Sequence, residues 1–233
     1  MEGVRADKAV IDGVVANTPE RIERGFALLQ VVRDAVGPNI EIAVDIRARL
    51  NIGSVRRIAH GLEAPNIAWV EEPMLFDNTD AMAAFARSIR IPVATCEQLY
   101  THWGFRALLE QNAVSIIQPD ICHAGGLSEL RKIASMAETY YVSVAPHNSN
   151  GPISTVASLH LDMAIPNCLK QELFLNSLPY YDAVLTKPLV IANGYGAPPA
   201  GPGWGTDIDD DALAQYPPAA FIPIEAEPYL DFM

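Results

Sequence analysis

Two rhythms alternate along the chain. Short runs of β-prone apolar residues give way to longer stretches with apolar residues at helical intervals. The clearest helical stretch opens at Thr18-Pro19-Glu20-Arg21. Thr18 suits the N-cap, Pro19 the first helical position, and Glu20 and Glu23 the positive end of the helix. Ile22, Phe26, Leu29, Val32 and Val36 continue it until Gly37-Pro38-Asn39 stops it. The pattern then predicts strand 40–46, helix 54–63, strand 67–70, helix 80–89 capped by Thr79, and strand 91–95. Helix 104–111, strand 114–118, helix 127–140, strand 141–145, helix 153–164 and strand 168–173 follow. Before residue 15 only Ala9-Val10-Ile11 is β-prone, as a strand remnant or as apolar packing. This alternation predicts parallel strands with helices outside them.

About six barrel strands emerge, ending near residues 46, 70, 96, 119, 146 and 173. A closed barrel of this type needs about eight. The predicted fold is therefore α/β, a partial (β/α) TIM-type barrel of about six βα units over residues 1–185. The first one or two strands are absent or come from a partner, and the expected assembly is a homo-oligomer or a second chain that completes the barrel. Residues 186–233 change character and form a C-terminal extension. Asn193-Gly194-Tyr195-Gly196 reads as a turn between short extended pieces, Pro198-Pro199-Ala200-Gly201-Pro202-Gly203 as rigid loop, and Asp209-Asp210-Asp211 as a solvated helix start. The Asp triplet lacks the glycine and terminal glutamate of a calcium loop.

Composition narrows the partners. The formal charge of −12 argues against nucleic acid and anionic membranes. It leaves a small acid substrate open, because a bound cation reverses the local field. No apolar run reaches transmembrane length, and the first eight residues lack the apolar core of a signal peptide. Cys96, Cys122 and Cys168 are too far apart for a zinc cluster, and read as buried thiols in a reducing, cytoplasmic setting.

The chemistry lies at the predicted strand ends. Val44-Asp45, Val70-Glu71-Glu72-Pro73 and Cys96-Glu97 each close an apolar run with a carboxylate, and 26 residues separate Asp45 from Glu71 and Glu71 from Glu97. In an α/β barrel the C-terminal strand ends form the active-site rim. Three converging carboxylates need a cation, and oxygen-only ligation suits Mg²⁺, or Mn²⁺ in its place. Successive strand side chains point oppositely, so only one of Glu71 and Glu72 faces such a metal. Asp120, His147 and Glu172 follow at the next strand ends. A carboxylate beside an imidazole fixes its tautomer and raises its pKa, which makes Asp120–His147 a proton shuttle. Glu172 either binds substrate or pairs with a neighbour such as Lys170. Metal plus this pair suits proton abstraction α to a carboxylate, followed by dehydration of a hydroxy acid or by racemisation. His102, in the loop after Glu97, either contacts substrate or packs on Trp103. His123 lies near Asp120 beside Gly125-Gly126, which hold an anion or form a tight turn. His60 and His160 fall on helical stretches and read as structural. No G-x-G-x-x-G dinucleotide pattern is present.

The ordered set of Val44-Asp45, Val70-Glu71-Glu72-Pro73, Cys96-Glu97, Gln118-Pro119-Asp120, Ala145-Pro146-His147 and Gln171-Glu172 resembles the enolase superfamily, mandelate racemase/muconate lactonising branch. Residues 115–126 and 145–172 more narrowly resemble D-galactonate dehydratases. The resemblance implies an Mg²⁺ enzyme with an α+β capping domain closing over the barrel. Most of that domain would precede residue 1, and the C-terminal extension would pack on the barrel or in the capping-domain region. It implies that Asp45, Glu71 and Glu97 ligate metal, that His147 paired with Asp120 is the general acid, and that Glu172 helps hold substrate. The product would be a 2-keto-3-deoxy sugar acid, made from a galactonate-like aldonate. One position departs from the pattern. Galactonate-type members carry a histidine base two residues after the first metal aspartate, and here that residue is Arg47. Arginine stays protonated and is a poor base, so it binds the substrate carboxylate or hydroxyls instead. A catalytically impaired relative, serving as a fragment or interaction subunit, and an acid-sugar racemase or epimerase are the alternatives.

Overall fold

The computed structural model describes residues 9–10 and 19–217. Its centre is a six-stranded parallel sheet in the order β1 (Ala9–Val10), β2 (Ala43–Asp45), β3 (Trp69–Glu71), β4 (Val93–Thr95), β5 (Ile116–Ile117) and β6 (Ser143–Val144). Each strand follows its sequence neighbour, as βα connections dictate. The outer helices are α1 (Pro19–Val36), α2 (Ile52–Glu63), α3 (Thr79–Ala86), α4 (Thr101–Glu110), α5 (Leu127–Glu138) and α6 (Pro152–Asp162). The chain is thus an α/β partial (β/α) barrel.

Strand alternation separates two apolar layers. Val44, Val70, Val93, Ile117 and Val144 join the large core beneath the helices, against Leu62, Met82, Phe85, Leu108, Leu109 and Ile133. On the other side Ala94, Ile116 and Ala145 cluster with Trp69. Strands β2, β4 and β5 are buried throughout, which is why they read as continuous apolar runs. Asp45 and Glu71 are register partners on β2 and β3, so the two carboxylates leave adjacent strands side by side.

Several boundaries differ from the pattern's prediction. The Ala9-Val10 lead is a true strand, paired with Val44 and Asp45; Ile11 and the proposed cap Thr18 lie outside the described residues. The predicted strand over 168–173 is reduced to one bridge, Val144 to Cys168, so Glu172 projects from irregular chain. Asn78, not Thr79, caps α3 by accepting from the Ala81 N–H. Helix α4 starts at Thr101, because the Thr101 N–H bonds the Ala124 carbonyl, and His102 therefore sits in a helix rather than a loop. Cys96 is buried as expected, but Cys122 is exposed and Cys168 only half-buried.

Beyond a 3₁₀ turn at Leu175–Ser177 come α7 (Leu178–Val184), an antiparallel hairpin of β7 (Val190–Ala192) and β8 (Tyr195–Ala197), and α8 (Asp210–Leu213). Asn193 and Gly194 both have positive φ (53° and 80°), as a two-residue hairpin turn requires. Asp209 caps α8 through the Ala212 N–H, so the aspartate run is a helix start. Leu185 and Leu189 pack on Val156 and Leu159 of α6 in a second apolar cluster. Among the described residues no helix is long and apolar enough to cross a membrane.

Candidate active site

The sequence-predicted residues gather at the C-terminal ends of β2 to β6 and on the segment after Cys168. Asp45, Glu71 and Asp120 are buried. A cleft of about 350 Å³ is lined by Glu97, Gln98, Asp120, Cys122, His123, His147 and Asn150.

The Asp120–His147 pair is formed. His147 Nδ1 lies 2.6 Å from Asp120 Oδ2. Burial works against ionising Asp120, but hydrogen bonds from His147, the Cys122 N–H and Asn150, with the imidazolium charge, outweigh it and hold the carboxyl below its ordinary value. An ionised carboxylate only accepts, so Nδ1 carries the proton and Nε2 is left for proton transfer. Nε2 stands 3.7 Å from Glu97 Oε2 and 3.8 Å from Glu172 Oε2. Burial pulls the His147 pKa down. The bond to Asp120 and the charges of Glu172, Glu97 and Asp120 overcome it, so the net shift is upward. Glu172 Oε2 also accepts the Asn148 N–H at 2.8 Å. Lys170 is not its partner: the ammonium pairs with Glu41 and lies over the Trp69 ring.

Asp45 Oδ1 accepts the Arg47 N–H at 2.8 Å, and Arg47 Nη1 lies 3.7 Å from Asp45 Oδ2. Arg47 and Ala48 both adopt positive φ (56° and 55°), which turns the chain sharply at the rim. Trp69 Nε1 donates to Glu71 Oε2 at 3.2 Å. Glu72 turns to the next strand instead, where the Thr95 hydroxyl and the Cys96 N–H bond its Oε1. Burial pushes Glu72 up to about 7, with the Glu97 and Glu71 charges adding to the rise. Among the described residues no three His, Cys, Asp or Glu side chains form a group able to hold a metal ion as they stand. In kind, the donors Asp45, Glu71 and Glu97 fit Mg²⁺ or Mn²⁺: all three offer only oxygen, Asp45 and Glu71 end β2 and β3, and Glu97 lies two residues beyond β4.

Three of the other histidines are accounted for by their contacts, and His60 is exposed on the last turn of α2. His102 contacts Glu129 and stacks on Trp103 at 4.5 Å. His123 lines the cleft, where its Nε2 meets the Gln98 carbonyl at 3.0 Å and its ring lies 4.8 Å from Tyr100. His160 meets the Trp204 carbonyl. Sequence reasoning missed Asn148 and Asn150. Buried Asn148 ties Glu172 to Ser154 and Thr155, and Asn150 bonds Asp120. Both act through contacts distant in sequence, and neither carries a local signal.

The family described as enolase C-terminal domain-like matches residues 2–212. The chain belongs to the enolase superfamily, mandelate racemase/muconate lactonising branch. Among curated relatives within that superfamily match, D-xylonate dehydratase of Haloferax volcanii is 36% identical over 82% of this chain and 47% of its own length. D-galactonate dehydratase of Ralstonia pickettii is 33% identical over 84% of this chain and 53% of its own. The chain spans about half the length of these relatives. A mandelate racemase/muconate lactonizing enzyme-like protein from Rubrobacter xylanophilus superposes with a TM-score of 0.84 at 32% identity, over 89% of this chain and 56% of that one. An enolase-superfamily member from Salmonella Typhimurium gives 0.80 at 34% identity, over 85% and 51%.

Proposed function

We propose that this chain is the barrel part of a sugar-acid dehydratase that converts an aldonate into a 2-keto-3-deoxy acid. The observation that carries the reading is the Asp120–His147 pair, with Nε2 turned toward Glu97 and Glu172 across an open cleft. Similarity to D-xylonate and D-galactonate dehydratases supports an aldonate as substrate.

Asp45, Glu71 and Glu97 would hold Mg²⁺, with Mn²⁺ as the alternative. When bound, the ion supplies positive charge against the negative charge that grows on the substrate carboxylate as its α-proton leaves. Arg47, a permanent cation with a half-exposed side chain, binds the carboxylate or a hydroxyl. Because arginine stands where a base would stand, both proton transfers pass through His147. Neutral Nε2 takes the proton from Cα, and the resulting imidazolium gives it to the β-hydroxyl, which leaves as water. Asp120 keeps Nδ1 protonated throughout and stabilises the imidazolium. Glu172 helps hold the substrate.

Arg47 also motivates the second reading, a catalytically impaired chain that acts as a fragment or interaction subunit. A third, racemisation or epimerisation, uses the same proton transfer without loss of water. Incubation with D-galactonate, D-xylonate and their stereoisomers, with Mg²⁺ in D₂O, separates all three. A 2-keto-3-deoxy product that disappears in His147→Asn supports the dehydratase. Deuterium at Cα without water loss assigns a racemase. Neither event, from a folded chain, leaves the impaired reading.

A further inference from the structure

Asp120 accepts four hydrogen bonds. Oδ1 takes the N–H groups of Cys122 at 2.7 Å and His123 at 3.1 Å. Oδ2 takes His147 Nδ1 at 2.6 Å and Asn150 Nδ2 at 2.7 Å. The backbone donors hold one oxygen, and Asn150 occupies the second acceptor direction of the other. It thereby fixes the plane in which Oδ2 meets the imidazole. Asn150 is itself held from outside the barrel: its carbonyl accepts a hydrogen bond from the Tyr181 hydroxyl. Tyr181 lies on α7 and packs against the buried cluster of Val156, Leu159, Leu185 and Leu189 that joins this region to α6. A continuous line of contacts therefore runs from the C-terminal region through Tyr181, Asn150 and Asp120 to His147.

We propose that Asn150 and Tyr181 are positioning residues, which lock the Asp120 carboxylate so that His147 keeps its proton on Nδ1 and presents Nε2 to the cleft. This rests on the acid–base role given to His147 above. A carboxylate free to tilt would hold Nδ1–H less well, and the neutral ring would then populate both tautomers. Only the tautomer with Nε2 unprotonated can accept a proton from the cleft.

The test reads the ring and needs no turnover. In the full chain with ¹⁵N-labelled histidine, the ring nitrogen shifts are followed through the carbon-bound ring protons at alkaline pH, with His147 assigned by His147→Gln. The wild type should show a protonated Nδ1 and an unprotonated Nε2. In Asn150→Ala both nitrogens should move toward the values of exchanging tautomers, and Tyr181→Phe should move them the same way by less, with its ring packing kept. Unchanged shifts in either variant overturn the proposal, because a residue that merely holds the loop would lower the melting temperature and leave the tautomer alone. If Asn150→Ala does not fold, Asn150→Ser is judged by the same criterion beside Tyr181→Phe. Where an aldonate is turned over, kcat should fall about 10- to 100-fold with KM unchanged. Absence of turnover in the wild type would count against the dehydratase and leave the ring-shift result standing.

Discussion

Arg47 lies two residues beyond Asp45, in left-handed backbone, with its side chain half exposed and its guanidinium 3.7 Å from a buried carboxylate. A planar cation in that place suits a substrate carboxylate and cannot take a proton at neutral pH. If Arg47 binds the substrate as proposed, Arg47→Ala should raise KM for an aldonate about tenfold or more and change kcat less. Steady-state kinetics over a substrate range decides it, and an equal fall in kcat at constant KM would place Arg47 in the chemical step. Asp162, at the end of α6, presents a different residue-scale problem. Both its oxygens are buried without a nitrogen or oxygen donor among the described residues, and burial pushes it up to about 7, opposed by the neighbouring Cys168 thiol. A carboxyl with a raised folded pKa contributes its full stability below its unfolded pKa, near 3.8, and loses it as pH rises through the folded value. Between about pH 4 and 7 the wild type should therefore lose up to about 4 kcal/mol relative to Asp162→Asn, and the gap should level off above that window. Urea unfolding of both proteins across that range measures the gap, and a gap independent of pH would refute the assignment.

At the scale of elements, the barrel was legible because the βα units from β2 to β6 repeat the same instruction: a short apolar run, a carboxylate or, after β6, a histidine, then a helix. The equal spacing of Asp45, Glu71 and Glu97 reported three strands correctly, since it depends only on the length a βα unit needs. Boundaries set by contacts between units were not legible. Helix α4 begins early because Thr101 reaches Ala124, and the segment after Cys168 stays irregular while Glu172 and Gln171 bond residues near His147. Asn150 escaped notice for the same reason, being 30 residues from the aspartate it holds. In the C-terminal region one position is severely constrained. Gly205 has φ +75°, and a Cβ there would fall 2.0 Å from the Pro199 carbonyl oxygen. Its neighbour Trp204 packs against α6, so the strain would be felt where the extension docks. Gly205→Ala should cost about 2–4 kcal/mol, from left-handed backbone strain and overpacking. Limited proteolysis should then cut residues 186–206 well before the barrel. Cleavage at the wild-type rate would show that the loop relaxes without loosening the extension.

At the scale of the whole molecule the dominant feature is its negative charge. The chain carries 28 acidic against 16 basic residues, and Asp45 and Glu71 lie buried on neighbouring strands. If Asp45, Glu71 and Glu97 hold a divalent ion, that ion binds the folded rim and not the unfolded chain. An ion that binds the native state alone raises apparent stability by about 2.7 kcal/mol when its concentration is a hundred times Kd. For a chain of this size that corresponds to a rise in Tm of roughly 5–10 °C. Mg²⁺ titrated at constant ionic strength should produce such a rise in the wild type and none in Asp45→Ala. The variant separates site binding from general screening of an acidic surface, because it changes the net charge by only one. An equal rise in both proteins would mean that Mg²⁺ acts through the surface field. A flat response in both would mean that Asp45, Glu71 and Glu97 do not assemble a metal shell in this chain.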